Sequence, residues 1–249
     1  MFSLLKEIYY VSWADLRYMR HTFRNILISS IMSPLLYLLA FGYGLGNGME
    51  HDGIPYIAFI IPGIAALTSL SASFTSTSTR MNVQRLYYRS FDEMTMCPLS
   101  VASIVLGKSV LGVIRGLIST SIIFGIGLLL APELSLTPLY IVTIALSCLT
   151  FSLLGVSAAL LAKSHASMAT FSSLVILPMT FLCGTFFSID SLPEVAQAAL
   201  YALPLTHSSV AARAAALGWD FPWISLIILA AFTVAFFAIN VYLVKNKKV

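Results

Sequence analysis

Charge is what this sequence has least of. Only 10% of its 249 residues are Asp, Glu, Lys or Arg, against about 25% in a soluble domain. So little polar surface cannot solvate a globule, which excludes a soluble enzyme. Cysteine is almost as scarce: Cys97, Cys148 and Cys183 lie far apart and form no CxxC pair. That argues against a disulfide framework or a cysteine metal site. The net charge of +4 is too small and too scattered for nucleic-acid binding. His21, His51, His165 and His207 fall in four separate regions with no HExxH-like spacing, and no G-x-S-x-G elbow is present. Gly107-Lys108-Ser109 matches only the end of a phosphate-binding loop. Ala102 stands where that motif needs its first glycine, and the flanks are membrane-helix sequence.

Apolar residues make up 59% of the chain, and its mean hydropathy is +0.92. They come in runs near the roughly 20 residues that cross a hydrocarbon core. The expected fold is an all-α polytopic membrane protein of about six spans, at 26–43, 56–79, 101–130, 139–162, 168–187 and 221–244. Gly42, Gly44, Gly46 and Gly48 punctuate the chain after the first span and Ala131-Pro132 after the third. No repeat or linker is visible, so residues 1–249 form a single domain.

Before the first span, residues 1–24 alternate apolar and basic at helical spacing. Leu5, Ile8, Tyr9, Trp13, Leu16 and Phe23 lie toward one side, and Arg17, Arg20 and Arg24 share another. That pattern suits a helix in the membrane interface, the alternative being a cytosolic lead-in. Residues 80–98 form a charged segment of helical character that Pro98 would end. Residues 178–218 contain two short helical pieces separated by Pro204 and closed by Gly218, with Asp190 or Ser191 as a cap for the first. Too short to cross, they are expected to form a re-entrant outer hairpin between the fifth and sixth spans.

Basic residues set the orientation. Lys6, Arg17, Arg20 and Arg24 precede the first span, Arg80, Arg85, Arg89 and Lys108 surround the loop after the second, Lys163 follows the fourth, and Lys245, Lys247 and Lys248 follow the last. The alternate loops hold Glu50, Asp52, Glu133, Asp190, Glu194 and Asp220, with Arg213 as their only base. Both termini are therefore expected in the cytoplasm.

Two polar features lie inside apolar spans. Arg115 must face protein or water, or else snorkel to the interface. Lys108, Gly112, Arg115 and Ser119 mark one small, polar helix face, and Gly112 with Gly116 permits close helix contact. The second span ends in a run of hydroxyls from Thr68 to Thr79, among them Ser71. They either line a translocation path, with Thr68, Ser71, Arg115 and Ser119 as its candidates, or hydrogen-bond neighbouring helices. No Asp or Glu lies within any expected span, which argues against a proton- or sodium-coupled carrier.

The order of these parts resembles the ABC-2 permease family, the membrane subunits of ATP-driven exporters such as those for nodulation lipo-oligosaccharides and daunorubicin. Phe59-Ile60-Ile61-Pro62-Gly63 is similar to the family's F-[IV]-[IV/A]-P-G opening of the second span. Glu93-Met94-Thr95-Met96-Cys97-Pro98-Leu99-Ser100 is similar to its E-x-[LM]-x-x-x-P-[LV]-[ST] stretch. The run from Leu182 to Pro193, with Leu203-Pro204-Leu205-Thr206-His207, is similar to its late signature, except that Cys183 and Ser188 replace a small residue and a proline. The resemblance covers nearly the whole chain.

It implies a permease in the inner (plasma) membrane that pairs with a second permease chain, as a homodimer or close heterodimer within the lipid bilayer. Each permease would meet a separate ATP-binding-cassette ATPase subunit. ATP and Mg would be bound by that partner, leaving no cofactor, metal or catalytic residue in this chain. Residues 80–98 would be the coupling helix, with Arg85, Tyr88, Arg89, Phe91, Asp92 and Glu93 as its contact residues. The substrate would be hydrophobic or amphipathic: a drug, lipid, glycolipid or polysaccharide. The alternatives are an ATP-independent carrier or channel, and a membrane-embedded lipid-modifying enzyme.

Overall fold

A computed structural model describes residues 2–45, 50–51, 53–186 and 193–246. Gly46, Gly48, Asp52, Ser188, Asp190, Ser191, Lys247 and Lys248 lie outside them. Among the described residues ten α-helices follow one another: α1 (Phe2–Tyr37), α2 (Tyr56–Leu86), α3 (Ser90–Met96), α4 (Val101–Leu130), α5 (Pro138–Leu161), α6 (His165–Phe171), α7 (Leu177–Leu182), α8 (Glu194–Tyr201), α9 (Pro204–Leu217) and α10 (Trp223–Asn246). A two-residue antiparallel pair, β1 (Glu50–His51) and β2 (Ile54–Pro55), turns at Gly53 just before α2.

Among the described residues, five helices are long and apolar enough to cross a membrane: α2, α4, α5, the continuous run His165–Leu182 through α6 and α7, and α10. The expected first span is built differently. Residues 1–24 and 26–43 were expected as an interfacial helix and a separate span. They are instead parts of one helix, because α1 runs unbroken past Arg24 and continues as a π-helical stretch, Leu38–Leu45. No glycine or proline interrupts the chain before Pro34, so nothing stops the helix there. Its described apolar part includes Met32–Gly42. A second π-helical stretch, Ser172–Ile176, joins α6 to α7.

Capping follows the sequence locally. Ser100 starts α4 by accepting from the Ser103 amide. Thr137 does the same for α5, ahead of Pro138 in the first turn. Ser164 and Ser167 form a reciprocal capping box on α6, and Gly218 ends α9 in the left-handed region.

The bundle is organised around α2, which is buried along most of its length against α4, α5 and α9. Such enclosure needs small side chains, and α2 and its neighbours supply them. A β-carbon on Gly112 would collide with the Thr77 and Ser152 hydroxyls, and one on Gly116 with the Ser73 hydroxyl and the Cys148 sulfur. Gly127 meets Ile61, and Gly155 meets the Phe74 carbonyl. These contacts put α2 and α4 antiparallel at near backbone distance. Hydroxyl pairs then join the helices. Ser69 bonds Ser147 at 2.6 Å, and Ser208 donates to Ser147 at 2.7 Å, which links α2, α5 and α9. Thr77 bonds Ser152 at 2.8 Å, while Thr150 bonds Thr233 at 2.6 Å between α5 and α10. Such bonds average about 0.6 kcal/mol in a membrane protein, so their number matters more than any one of them.

At the opposite end from α3, α9 fills the bundle rather than lying on it. Its Arg213 is buried, and its guanidinium donates to the Phe59 carbonyl at 3.1 Å and the Gly184 carbonyl at 2.8 Å. It also stacks 3.9 Å over the Phe59 ring. Arg213 is thus a clamp, tying α9 to the start of α2 and to the turn after α7. Tyr56 reinforces the same corner by donating to the Phe186 carbonyl at 2.6 Å.

Three substitutions test this architecture. Gly112→Leu drives a side chain into Thr77 and Ser152, and is expected to abolish a monodisperse peak on size-exclusion chromatography in detergent. Gly125→Leu, on the same helix but with open space beside its Cα, leaves the peak intact. Arg213→Met removes charge-assisted bonds to two buried carbonyls, at about 1.5–3 kcal/mol each, and hydrogen exchange should rise first in α9.

Candidate functional site

At the α3 end, three helices meet over one carboxylate. Asp15 of α1 is 1% exposed. Its Oδ1 accepts from Arg80 Nε at 2.9 Å and from Gln84 Nε2 at 2.7 Å. Its Oδ2 accepts from Lys108 Nζ at 3.1 Å, and Lys108 also donates to Gln84 Oε1 at 2.7 Å. Arg80 and Gln84 reach the same oxygen because they stand one turn apart on α2. Gly107 brings α1 close to α4 beside them, its α-carbon facing the Val11 side chain. A buried ion pair adds little net stability over an apolar substitute, but removing one member is costly because the other is left charged in the interior. The cluster therefore fixes how α1 sits on α2 and α4. Further along α1, the Ser100 backbone N–H donates to Glu7 at 3.0 Å and, with the Ser103 and Ser100 hydroxyls, holds that carboxyl below its usual range.

The α1 face in this contact is not the one its apolar residues suggest. Val11, Ser12 and Asp15 are buried, whereas Leu5, Tyr9 and Trp13 are exposed, with Tyr9 and Trp13 packed 5.6 Å apart. The carboxylate needs its cations more than the aromatics need the core, since aromatic rings sit well at a bilayer interface. Asp15 was the signal available in the sequence: an acid one turn after Val11, just ahead of Arg17, Arg20 and Arg24.

Beside the cluster a cavity of about 290 Å³ opens between α1, α2 and α4, lined by both Arg80 and Arg115. Tyr18 supports Arg80 from below, its ring 4.2 Å from the guanidinium carbon. Of the expected path residues, only Arg115 reaches this cavity. Thr68 is buried and donates to the Ile64 carbonyl at 2.7 Å. Ser71 is half-buried and donates to the Leu67 carbonyl at 3.0 Å. Ser119 is buried, and its hydroxyl makes no hydrogen bond among the described residues. Within one chain, most α2 hydroxyls thus serve their own helix or its neighbours.

The segment expected to couple to a partner is divided by a backbone reversal. α2 continues to Leu86, so Arg80 and Arg85 belong to the long helix. Arg89 then takes φ 52°, the left-handed region that bulky residues avoid, and α3 begins. Cys97, in extended backbone, ends it just before Pro98. Two of the six expected contact residues turn inward. Arg85 donates to the Ala162 carbonyl at 2.7 Å and to the Ala159 carbonyl, capping the last turn of α5. Phe91 is 2% exposed and packs with Met81, Ile104, Leu153 and Leu160. The other four stay on the surface side: Tyr88 at 69% exposure, Arg89 and Glu93 exposed, and Asp92 half-buried. Tyr87 and Met96, not among the six, are exposed with them.

Comparisons with known proteins agree with this architecture. The profile of the ABC-2 type transporter family matches residues 6–217. Nodulation protein J of Neorhizobium galegae is 30% identical over 202 residues, covering 80% of this chain and 77% of the relative. Nodulation protein J of Rhizobium meliloti (strain 1021) is 32% identical over 202 residues, covering 77% and 74%. The inner membrane transport permease YadH of Escherichia coli (strain K12) is 26% identical over 227 residues, covering 88% of each chain. A bundle of long apolar helices, matched by the family profile from α1 to the end of α9, is a membrane permease subunit, and the chain belongs to the ABC-2 type transporter family.

Proposed function

We propose that this chain is the membrane half of an ATP-driven exporter, pushed by a separate ATP-binding-cassette ATPase and carrying a hydrophobic or amphipathic substrate outward. The observation that carries this reading is the mounting of α3. A coupling element must be rigid toward its own bundle and adhesive toward its partner. Phe91 supplies the first property by filling the apolar pocket between α2, α4 and α5. Tyr88, Arg89, Glu93 and Met96 supply the second, as an exposed mix of aromatic, charged and thioether groups typical of a binding hot spot. Asp92 sits at the edge of that patch. Because α2 enters α3 through only a few residues, a push on α3 is delivered to the central helix of the bundle. Through the Arg85 cap it also reaches α5.

In this reading the α3 end, both termini and the Asp15 cluster face the cytoplasm, as the distribution of basic residues requires. The corner held by Arg213 faces outward. A second permease chain completes the path, with the sparsely covered run His165–Leu182 available to it. Nucleotide chemistry takes place in the ATPase, with ATP and Mg, and this chain transmits motion.

Glu93→Arg reverses one exposed charge without touching the core. Expression and membrane insertion are expected at wild-type levels, with loss of the ATPase that co-purifies from native membranes and of ATP-dependent export. Phe91→Ala removes the anchor instead, costing about 3–5 kcal/mol of stability and losing export through a loosened α3. Photo-crosslinkers at Tyr88 and Glu93 that capture no ATPase in native vesicles would refute the coupling assignment.

A further inference from the structure

A second cavity lies toward the other end of the bundle, between α4 and α5. Its volume is about 380 Å³, room for about a dozen liquid waters. One face of α4 borders it, from Leu117 through Ser121 and Gly125 to Leu128. Tyr140, Ile141 and Ile144, from the first two turns of α5, form the opposite side. Leu117 and Leu128 are eleven residues apart on α4, about 16 Å along its axis. That is close to half of a hydrocarbon core of roughly 30 Å. The cavity thus runs the depth of one leaflet, on the side of the α4–α5 turn.

Burial separates its inner wall from its mouth. Thr120, Phe124, Tyr140 and Ile144 are buried, whereas Ser121, Gly125, Leu136 and Ile141 are exposed. Both helices are long and apolar enough to cross the membrane, so the mouth opens sideways, toward hydrocarbon. A β-carbon on Gly125 would meet nothing within 4 Å. The chain places its smallest residue where a larger one would fill the space.

No charged side chain stands among the described lining residues, so the cavity does not select an ionic head. Its buried wall does carry two hydroxyls. Thr120 donates to the Ala65 carbonyl at 3.5 Å. Tyr140 is 4% exposed, its ring stacks 4.0 Å from that of Phe124, and its hydroxyl makes no hydrogen bond among the described residues. A buried phenol usually has a partner, and a donor left unmade in the interior is unfavourable. A mostly apolar pocket with one polar group fixing orientation is the usual form of a site for an amphipathic ligand. Tyr140 stands only two residues, about 3 Å, into α5. That is near the depth where hydrocarbon gives way to head groups, and where a lipid carries its ester carbonyls.

We infer that this cavity takes up one acyl chain of an outer-leaflet lipid, seated on Phe124 and Ile144 beside Gly125, with Tyr140 donating to the chain's ester carbonyl. Assignment to the outer leaflet rests on the proposed orientation; the site itself does not, and it does not depend on coupling to an ATPase.

Photo-crosslinking of the full-length protein in nanodiscs tests it. The discs are ether-linked phosphatidylcholine, which has no ester carbonyl, with a minor share of ester-linked phosphatidylcholine bearing a diazirine in its acyl chain. Labelled residues are located by mass spectrometry. Phe124 and Ile144 are expected to be labelled although both are buried, alongside the exposed Ile227 of α10, which any lipid reaches. Gly125→Leu fills the cavity while the monodisperse peak is kept, and should abolish labelling at Phe124 and Ile144 with Ile227 unchanged. Tyr140→Phe should lower inner-wall labelling about threefold, the worth of one neutral hydrogen bond. With the diazirine on an ether-linked lipid instead, wild type and Tyr140→Phe should label alike. Wild-type labelling confined to exposed positions overturns the proposal, whether a second copy of the chain or nothing specific covers the cavity. So does inner-wall labelling that Gly125→Leu leaves unchanged, and so does a Tyr140→Phe protein that takes up the ester-linked probe as the wild type does. None of these results bears on whether α3 captures an ATPase, so the two readings fail separately.

Discussion

The close contact of α2 with α4 and α5 is the constraint on which the remaining structure depends. In a bilayer, helices gain little by hiding apolar surface from one another, because lipid is as apolar as they are. Association must come from packing and from polar groups that find partners. Gly112, Gly116 and Gly155 provide the packing by letting backbones approach, and Ser69, Thr77, Ser147 and Ser152 fill the narrow seams with hydroxyl bonds. Once α2 is enclosed in this way, its two ends become the places where function can be mounted, since both are anchored to the same mast.

The two ends are held by opposite electrostatic devices. At the α3 end a buried carboxylate gathers cations from two other helices. At the Arg213 end a buried cation is satisfied by backbone carbonyls and an aromatic face, with no carboxylate among its partners in the described residues. Both give position more than stability, because the desolvation of a charge consumes most of what its partners return. Position is what a permease needs if a displacement of a short helix on one side is to reach a buried helix on the other. The Arg85 cap on α5 has the same character, a long-range tie made from one guanidinium and two carbonyls.

Much of this was legible in the sequence, and the limits of legibility are physical. The start and end of α4 and the Pro204 break between α8 and α9 are written locally, in hydroxyl caps, prolines and apolar length, and they appear where expected. The packing role of Gly112 and Gly116 was also visible, because small residues four apart on an apolar helix have few other uses. Partners were not visible. Arg85 and Phe91 look like surface contact residues beside Tyr88 and Glu93, and only the return of α5 and α4 against α2 shows that they face inward. The role of Asp15 is hidden for a similar reason: its ion-pair partners are 65 and 93 residues away. A residue's neighbours along the chain cannot report such a contact.

By itself the sequence determined that the chain must live in a membrane, roughly where its helices begin and end, and which family it resembles. Those properties depend on hydropathy and local backbone chemistry, which act over a turn or two of helix. Tertiary structure alone decided that α1 is one continuous helix docked by Asp15, that Arg213 is a clamp, and that Arg80 and Arg115 share a cavity. Each of those requires side chains distant in sequence to meet, and a meeting is set by the packing of whole helices.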